Sequence, residues 1–276
     1  MHVHYNWDQA EIIDPVEVIR RLKQRNIQLV VVAGTPSHYA LMLQQAAGAG
    51  EPRVVPLFSP YLHPGGKSDW FLKPEVLIQA RAGLTQGWYQ GIGEVHFMAG
   101  LPPRPEHPAF LALTDLAREF QVPMLIHVDA AKVDYYLAIC EPHAQIRMIL
   151  AHAGGIYKPQ QILKILQTCP NTFVDLSARD PWRYGRLTDE QNQLLPDWRE
   201  LILTHPDRFM IGSDPVWRVT RGQSWDQADD GWDHLNQLWD FHLTWTAQLP
   251  ADVAKKLRHD NAAKLFKQPG SEHSFR

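Results

Sequence analysis

The sequence predicts a single α/β domain folded as a (β/α)8 TIM barrel, and three observations lead there. Apolar, β-branched runs alternate with helical stretches eight times without a break, the pattern of a parallel sheet with helices packed outside. The chain has 276 residues and 45% hydrophobic content, enough to bury one core of barrel size. Metal-binding residue types recur at the ends of those runs: His2 and His4, then His127, His152 and Asp214. A doubly wound sheet fits the alternation, but it would not bring strands one, four, five, six and eight round one centre.

Residues 2–5 form the first strand, short against the usual strand of about five residues. Either that strand is clipped or residues upstream are missing, and a targeting segment could have gone with them. A helix follows over 15–26, with Val16, Ile19 and Leu22 on one face. The β-branched run 27–33 is strand two, 37–47 a helix, and 54–59 strand three. Residues 74–89 form the next helix, with Pro74 suited to its first turn. Strand four is 91–97, and a Pro-rich loop leads to a helix over 109–121. Strand five (123–128) precedes a helix over 131–141, and strand six (147–153) one over 159–168. Strand seven is 172–177. After an Arg- and Trp-bearing loop come a helix over 194–204 and strand eight, 208–214. The domain spans 1–266, and the polar, glycine-bearing tail 267–276 reads as a disordered end.

Net charge is −3, so no global field favours nucleic acid or an anionic membrane, and no apolar run approaches the length of about 20 residues that a span needs. Cys140 and Cys169 are the only cysteines. Two cannot make a disulfide framework and their spacing is not that of a metal-binding pair, so they are expected as free, buried thiols. The default compartment is the cytoplasm. The expected partner is a small-molecule substrate, and association into a homodimer is allowed.

A His-x-His at a strand end puts both imidazoles on one face, because side chains alternate with period two. Joined by His127, His152 and Asp214 from other strand ends, these residues are the ligand set of a divalent-metal hydrolytic site. Their bland readings are a frayed terminus for His2 and His4 and a helix N-cap before Pro215 for Asp214. Glu94 lies in Gly91-Ile92-Gly93-Glu94, and a carboxylate pointing into a barrel needs a cation or hydrogen bonds to offset desolvation. It is read as a bridging or direct metal ligand, with a buried ion pair as the rival. His96 has the same parity and is read as a substrate contact or support, against ordinary packing. Of the remaining histidines, most are read as helix-surface or loop residues, and His63, in the rim loop after strand three, is a further candidate.

The rim also gathers cations and rings: Tyr157 and Lys158 after strand six; Arg179, Trp182, Arg183, Tyr184 and Arg186 after strand seven; Trp217, Arg218 and Arg221 after strand eight. In a barrel the βα loops build the site. Tyr157, Lys158, Arg179, Arg183, Trp217 and Arg218 are therefore expected to bind an anionic substrate, most simply a carboxylate held by arginine. The rival is a solvated loop surface. Trp70 and Phe71 are candidates to wall the pocket.

Taken in order, His2-Val3-His4, Gly93-Glu94-Val95, Ile126-His127, Ala151-His152-Ala153-Gly154-Gly155 and Ile211-Gly212-Ser213-Asp214 resemble the amidohydrolase superfamily. The stretch from His205 to Pro215 and the closing helix from Leu249 to Phe266 look especially like its amidohydrolase-2 branch. The resemblance covers essentially the whole chain. It implies that His2 and His4 hold one metal with Asp214, that His127 and His152 bind a second metal or orient substrate, and that Asp214 is the general base. Many binuclear members carry a carboxylated lysine on strand four, and none stands there in this sequence. Glu94 does, in a context that also resembles TatD-type metal hydrolases.

The expected activity is hydrolysis of a small anionic lactone or amide by metal-activated water. One or two ions are expected, zinc first, with manganese or iron also fitting a His/carboxylate set. The alternatives are a non-oxidative decarboxylase of the same branch, a TatD-type nuclease, and a barrel that binds without catalysis.

Overall fold

The computed structural model describes residues 2–98, 100–129, 132–216 and 228–267. Trp217, Arg218 and Arg221, and the tail from 268, lie outside the described residues.

Eight parallel strands run in sequence order: β1 (His2–His4), β2 (Leu29–Ala33), β3 (Arg53–Leu57), β4 (Ile92–Met98), β5 (Met124–Asp129), β6 (Met148–Leu150), β7 (Thr172–Asp175) and β8 (Phe209–Met210). Their pairing falls into one group of three and one of five, and two seams join the groups. Phe58 bridges Ile92 in parallel between β3 and β4. Beyond β8, the Asp214 amide donates to the His2 carbonyl at 3.0 Å. The sheet is closed, as the strand count predicts.

The outer helices are α1 (Pro15–Gln24), α2 (His38–Ala47), α3 (Pro74–Thr85), α4 (Pro108–Glu119), α5 (Val133–Cys140), α6 (Pro159–Thr168), α7 (Pro196–Thr204) and α8 (Leu235–Thr246). Five of them open on proline, whose fixed φ suits the first turn and whose missing N–H is not needed there. α1 differs from expectation in its face: Val18, Ile19 and Leu22 are buried, whereas Val16 points to solvent. α8 has no counterpart in the sequence reading. A last helical stretch runs through α9 (Ala251–Lys255), a π-type segment (Lys256–Asp260) and α10 (Asn261–Leu265).

The core has two layers. Strand residues of one parity, among them Val30, Val32, Val54 and Val95, pack outward against the helices. Those of the other parity, Leu29, Val31, Val55, Leu57, Leu125, Ile149 and Met210, fill the barrel interior, and Ala262, Leu265 and Phe266 pack against them. The closing helix thus plugs the barrel at the end where the strands begin. Two residues on along the same faces stand His127 after Leu125 and Asp175 after Phe173, so the inward row turns from apolar to polar towards the strand ends.

The cysteines correct the sequence reading. Cys140 ends α5, Cys169 follows α6, and the two form a disulfide with Cα atoms 6.0 Å apart. Consecutive helices of a barrel pack side by side, which brings together ends 29 residues apart in sequence. Spacing alone could not show this. Among the described residues no helix is long and apolar enough to cross a membrane.

Candidate metal centre

The polar ends of the inward rows meet at the C-terminal mouth of the barrel. His2 and His4 project from β1 with their Nε2 atoms 3.1 Å apart. His2 is fully buried, and its Nδ1 bonds Asp175 at 2.9 Å. That bond places a proton on Nδ1, by inference from the partner, and turns Nε2 inward. Asp175 ends β7 and is also bonded by the Ser177 hydroxyl and, at 3.1 Å, by the Ser177 amide. Burial opposes charge on both partners. Yet the Asp175 bond and the surrounding carboxylates raise His2 to about 9, and the bond to His2 lowers Asp175 to about 2.

Glu94 enters from β4. Gly93 before it has φ +144°, and a Cβ there would meet the Leu125 carbonyl oxygen of β5 at 2.6 Å. Only glycine lets the two strands approach so closely at that point. The Glu94 carboxylate is buried between four imidazoles. Oε2 lies 3.0 Å from His4 Nε2, and Oε1 lies 2.8 Å from His127 Nδ1 and 3.4 Å from His152 Nε2. Burial would raise its pKa, but the histidine charges and bonds hold it well below the usual carboxylate range.

His152 and Asp214 reach the centre differently from expectation. β6 stops at Leu150 and β8 at Met210, and both residues stand on the turns that follow. Their φ values are +55° and +43°, a left-handed region rarely used by residues with a Cβ. Such strain persists only where the surroundings over-determine it, and it gathers at functional sites. His152 Nδ1 is tied to the Ser177 hydroxyl at 2.9 Å, so its Nε2 also faces inward, 3.7 Å from Asp214 Oδ2.

His96 pairs in register with His127 across β4 and β5, and their rings stack at 4.4 Å. Its Nδ1 bonds the Tyr61 hydroxyl at 2.9 Å, its Nε2 contacts Lys67 Nζ at 3.1 Å, and Nε2 is 3.6 Å from Glu94 Oε2. Burial, with the charge of Lys67, holds this imidazole well below its ordinary pKa.

The structure thus brings together His2, His4, Glu94, His96, His127, His152 and Asp214. It uses the rim cations differently from the sequence reading. Arg179 is 1% exposed, lies over the Trp198 ring, and donates to the carbonyls of Gly155 and Tyr157. The Arg183 side chain is equally buried and spent on Asp180 and on the carbonyls of Ser213 and Asp214. Both hold loops in place through these bonds, and the Arg179 Nε is buried with no partner among the described residues. Tyr157 is buried with its hydroxyl on the Lys132 carbonyl. Lys158 is exposed at the start of α6. Sequence reasoning missed Asp175, Ser177, Tyr61 and Lys67. Tyr184 was noted on the rim; its hydroxyl lies 3.5 Å from His127 Nε2 and its ring leans on His152.

The donor set suits a divalent cation. Among the described residues three groups have ligand atoms that all lie within 4.8 Å of one another: His2, His4 and Glu94; Glu94, His127 and His152; His2, His152 and Asp214. The Nδ1 atoms of His2 and His152 are held by oxygen acceptors, the support that metal-ligating histidines commonly have. Inward lone pairs and buried carboxylates on one point are stabilised by a cation and by little else.

The sequence profile of a family described as Amidohydrolase matches residues 89–268. Among solved structures, an amidohydrolase from Burkholderia multivorans with bound zinc is similar at TM-score 0.60 and 14% identity, over 97% of this chain and 98% of that one. A dihydroxybenzoic acid decarboxylase from Polaromonas sp. JS666, with bound manganese and the inhibitor 2-nitroresorcinol, is similar at TM-score 0.60 and 12% identity, over 96% and 95%. A dihydroorotase from Campylobacter jejuni is similar at TM-score 0.56 and 12% identity, over 99% and 83%. No curated protein matches.

Proposed function

This chain belongs to the amidohydrolase family, and on that premise we propose that it is a metal-dependent hydrolase of a small organic acid derivative, a lactone or an amide. The observation that carries the reading is the meeting of His2, His4, Glu94, His127, His152 and Asp214 at one buried point. A divalent metal there supplies Lewis acidity, lowering the pKa of a coordinated water and polarising a carbonyl. Zinc leads, because the set is rich in imidazole, and manganese also fits it.

The chain's own residues supply the rest. Asp214 stays ionised, since His152, His2, His4 and Arg183 outweigh its burial and lower its pKa. It can take a proton at Oδ and return it to the leaving group. Arg183 grips the Asp214 carbonyl and so fixes where that carboxylate points. His96 and Tyr184 line the mouth beside His127, where they can orient substrate oxygens.

The test is metal analysis followed by a screen of lactones and amides. His127→Ala and His152→Ala should each lose metal or turnover with little change in melting temperature. A wild type without metal after zinc reconstitution would overturn the reading and favour a binding barrel. The rival, a non-oxidative decarboxylase, draws support from the manganese-bound decarboxylase of similar fold, and carbon dioxide among the products would establish it. A TatD-type nuclease gains nothing from a net charge of −3.

A further inference from the structure

Arg179 and Arg183 are spent inside the fold, which leaves open what would receive an anionic part of the substrate. Lys67 is an exposed cation on the short turn Gly66–Ser68 after β3. Its Nζ lies 3.1 Å from His96 Nε2. That nitrogen is 3.6 Å from Glu94 Oε2, so the ammonium stands within two contact lengths of the central carboxylate.

The arrangement is built rather than incidental. The buried Tyr61 hydroxyl accepts the His96 backbone N–H at 2.7 Å and the His96 Nδ1–H at 2.9 Å. His96 is thereby set with Nε2 as an acceptor towards Lys67. The turn rests directly on Tyr61: a Cβ at Gly66 would meet Tyr61 Cα at 3.2 Å and Cβ at 3.3 Å. One buried tyrosine therefore positions both the imidazole and the turn that carries the lysine.

Lys67 also lacks what its neighbour has. Lys73 pairs with Asp69 at 3.0 Å, whereas among the described residues Lys67 pairs with no carboxylate and its hydrogen-bond partner is the His96 imidazole. An ammonium whose described partner is a single imidazole nitrogen has donors left over for an incoming anion.

We propose that Lys67, positioned by His96, receives a substrate carboxylate remote from the reacting bond, which makes the substrate a small derivative of a dicarboxylic acid. This rests on the metal-dependent reading in one respect, that the other end of the molecule lies at the metal centre. The carboxylate takes the place that His96 Nε2 holds against the ammonium, and the turn after β3 sets the distance between the two ends.

The test uses full-length zinc-loaded protein and calorimetric binding of succinate and of its monoamide, succinamate. Wild type should prefer succinate by at least about tenfold. Lys67→Met should bind the two alike, because both still present one carboxylate to the metal end, and Lys67→Arg should restore much of the preference. A wild type without the preference, or a Lys67→Met variant that keeps it, overturns the subsite while leaving the metal reading intact. A chain that takes up no zinc overturns both.

Discussion

Glu94 divides its carboxylate between two histidine pairs: Oε2 is 3.0 Å from His4 Nε2, and Oε1 is 2.8 Å from His127 Nδ1. His2 stands behind His4, and His152 beside His127. A carboxylate so placed could offer one oxygen to each of two cations, the role that the resemblance gives to a carboxylated lysine in many binuclear relatives. It needs no covalent modification to do so.

The first prediction is therefore two metal ions per chain, about 3.5–4 Å apart. Glu94→Gln should lose roughly one equivalent, measured by elemental analysis against protein concentration. Saturated wild type holding a single equivalent would move the assignment to a mononuclear site.

Asp214→Asn should abolish turnover and leave the fold in place. The amide keeps the shape of the side chain, and Arg183 still holds the main-chain carbonyl at this position. It cannot take a proton, so the rate should fall by at least ~10²-fold, with melting temperature nearly unchanged. Near-normal turnover of the true substrate by this variant would remove Asp214 from the role of base.

Much of this site is legible in the sequence because a barrel repeats one parity rule. His2, His4, Glu94, His96 and His127 all follow from period-two alternation along strands. His152 does not, since β6 ends at Leu150 and a left-handed turn brings the imidazole in. Asp175 was invisible for another reason. A strand-end acid has nothing local to mark it, and its partner His2 lies 173 residues away. Arg179 and Arg183 show as charges in a sequence, whereas the backbone carbonyls they hold do not. The cysteine pair failed likewise, since only the packing of α5 beside α6 brings the two together.

The disulfide gives a third prediction. Denatured, unreduced protein should show no titratable thiol, and Cys140→Ser should lower unfolding stability by about 3–4 kcal/mol through the loop it reopens. Two free thiols would restore the expectation of unpaired, buried cysteines.

His242 sets a pH dependence. It is fully buried, accepts from Trp245 Nε1 at 3.1 Å, and has no partner at Nε2 among the described residues. Burial lowers its pKa from 6.5 to about 4, with Arg183 also lowering it and Asp180 and Asp175 opposing. The folded state thus binds its proton less readily than the unfolded state does. Stability from this group is complete above about 6.5 and is lost as pH falls towards 4, on the order of 3 kcal/mol in all. Urea midpoints at pH 7 and pH 4.5 should converge in His242→Gln relative to wild type. An unchanged gap between those midpoints would exclude His242 as the source.

The last prediction concerns Asp175, which touches His2 and stands behind the ligands. Its carboxylate fixes the His2 ring and raises the basicity of the nitrogen that faces the centre. Partners of this kind are typically worth 10- to 100-fold in metal affinity. Asp175→Asn can still accept the Nδ1–H bond, so the imidazole keeps its orientation while the charge behind it is gone. Zinc affinity, measured by competition with a chelating dye, should fall by at least about tenfold, with the circular dichroism spectrum unchanged. Asp175→Ala should fall further, because orientation is lost as well. If both variants bind zinc as tightly as wild type, His2 is not a ligand, and the centre must be drawn from His4, Glu94, His127, His152 and Asp214 alone.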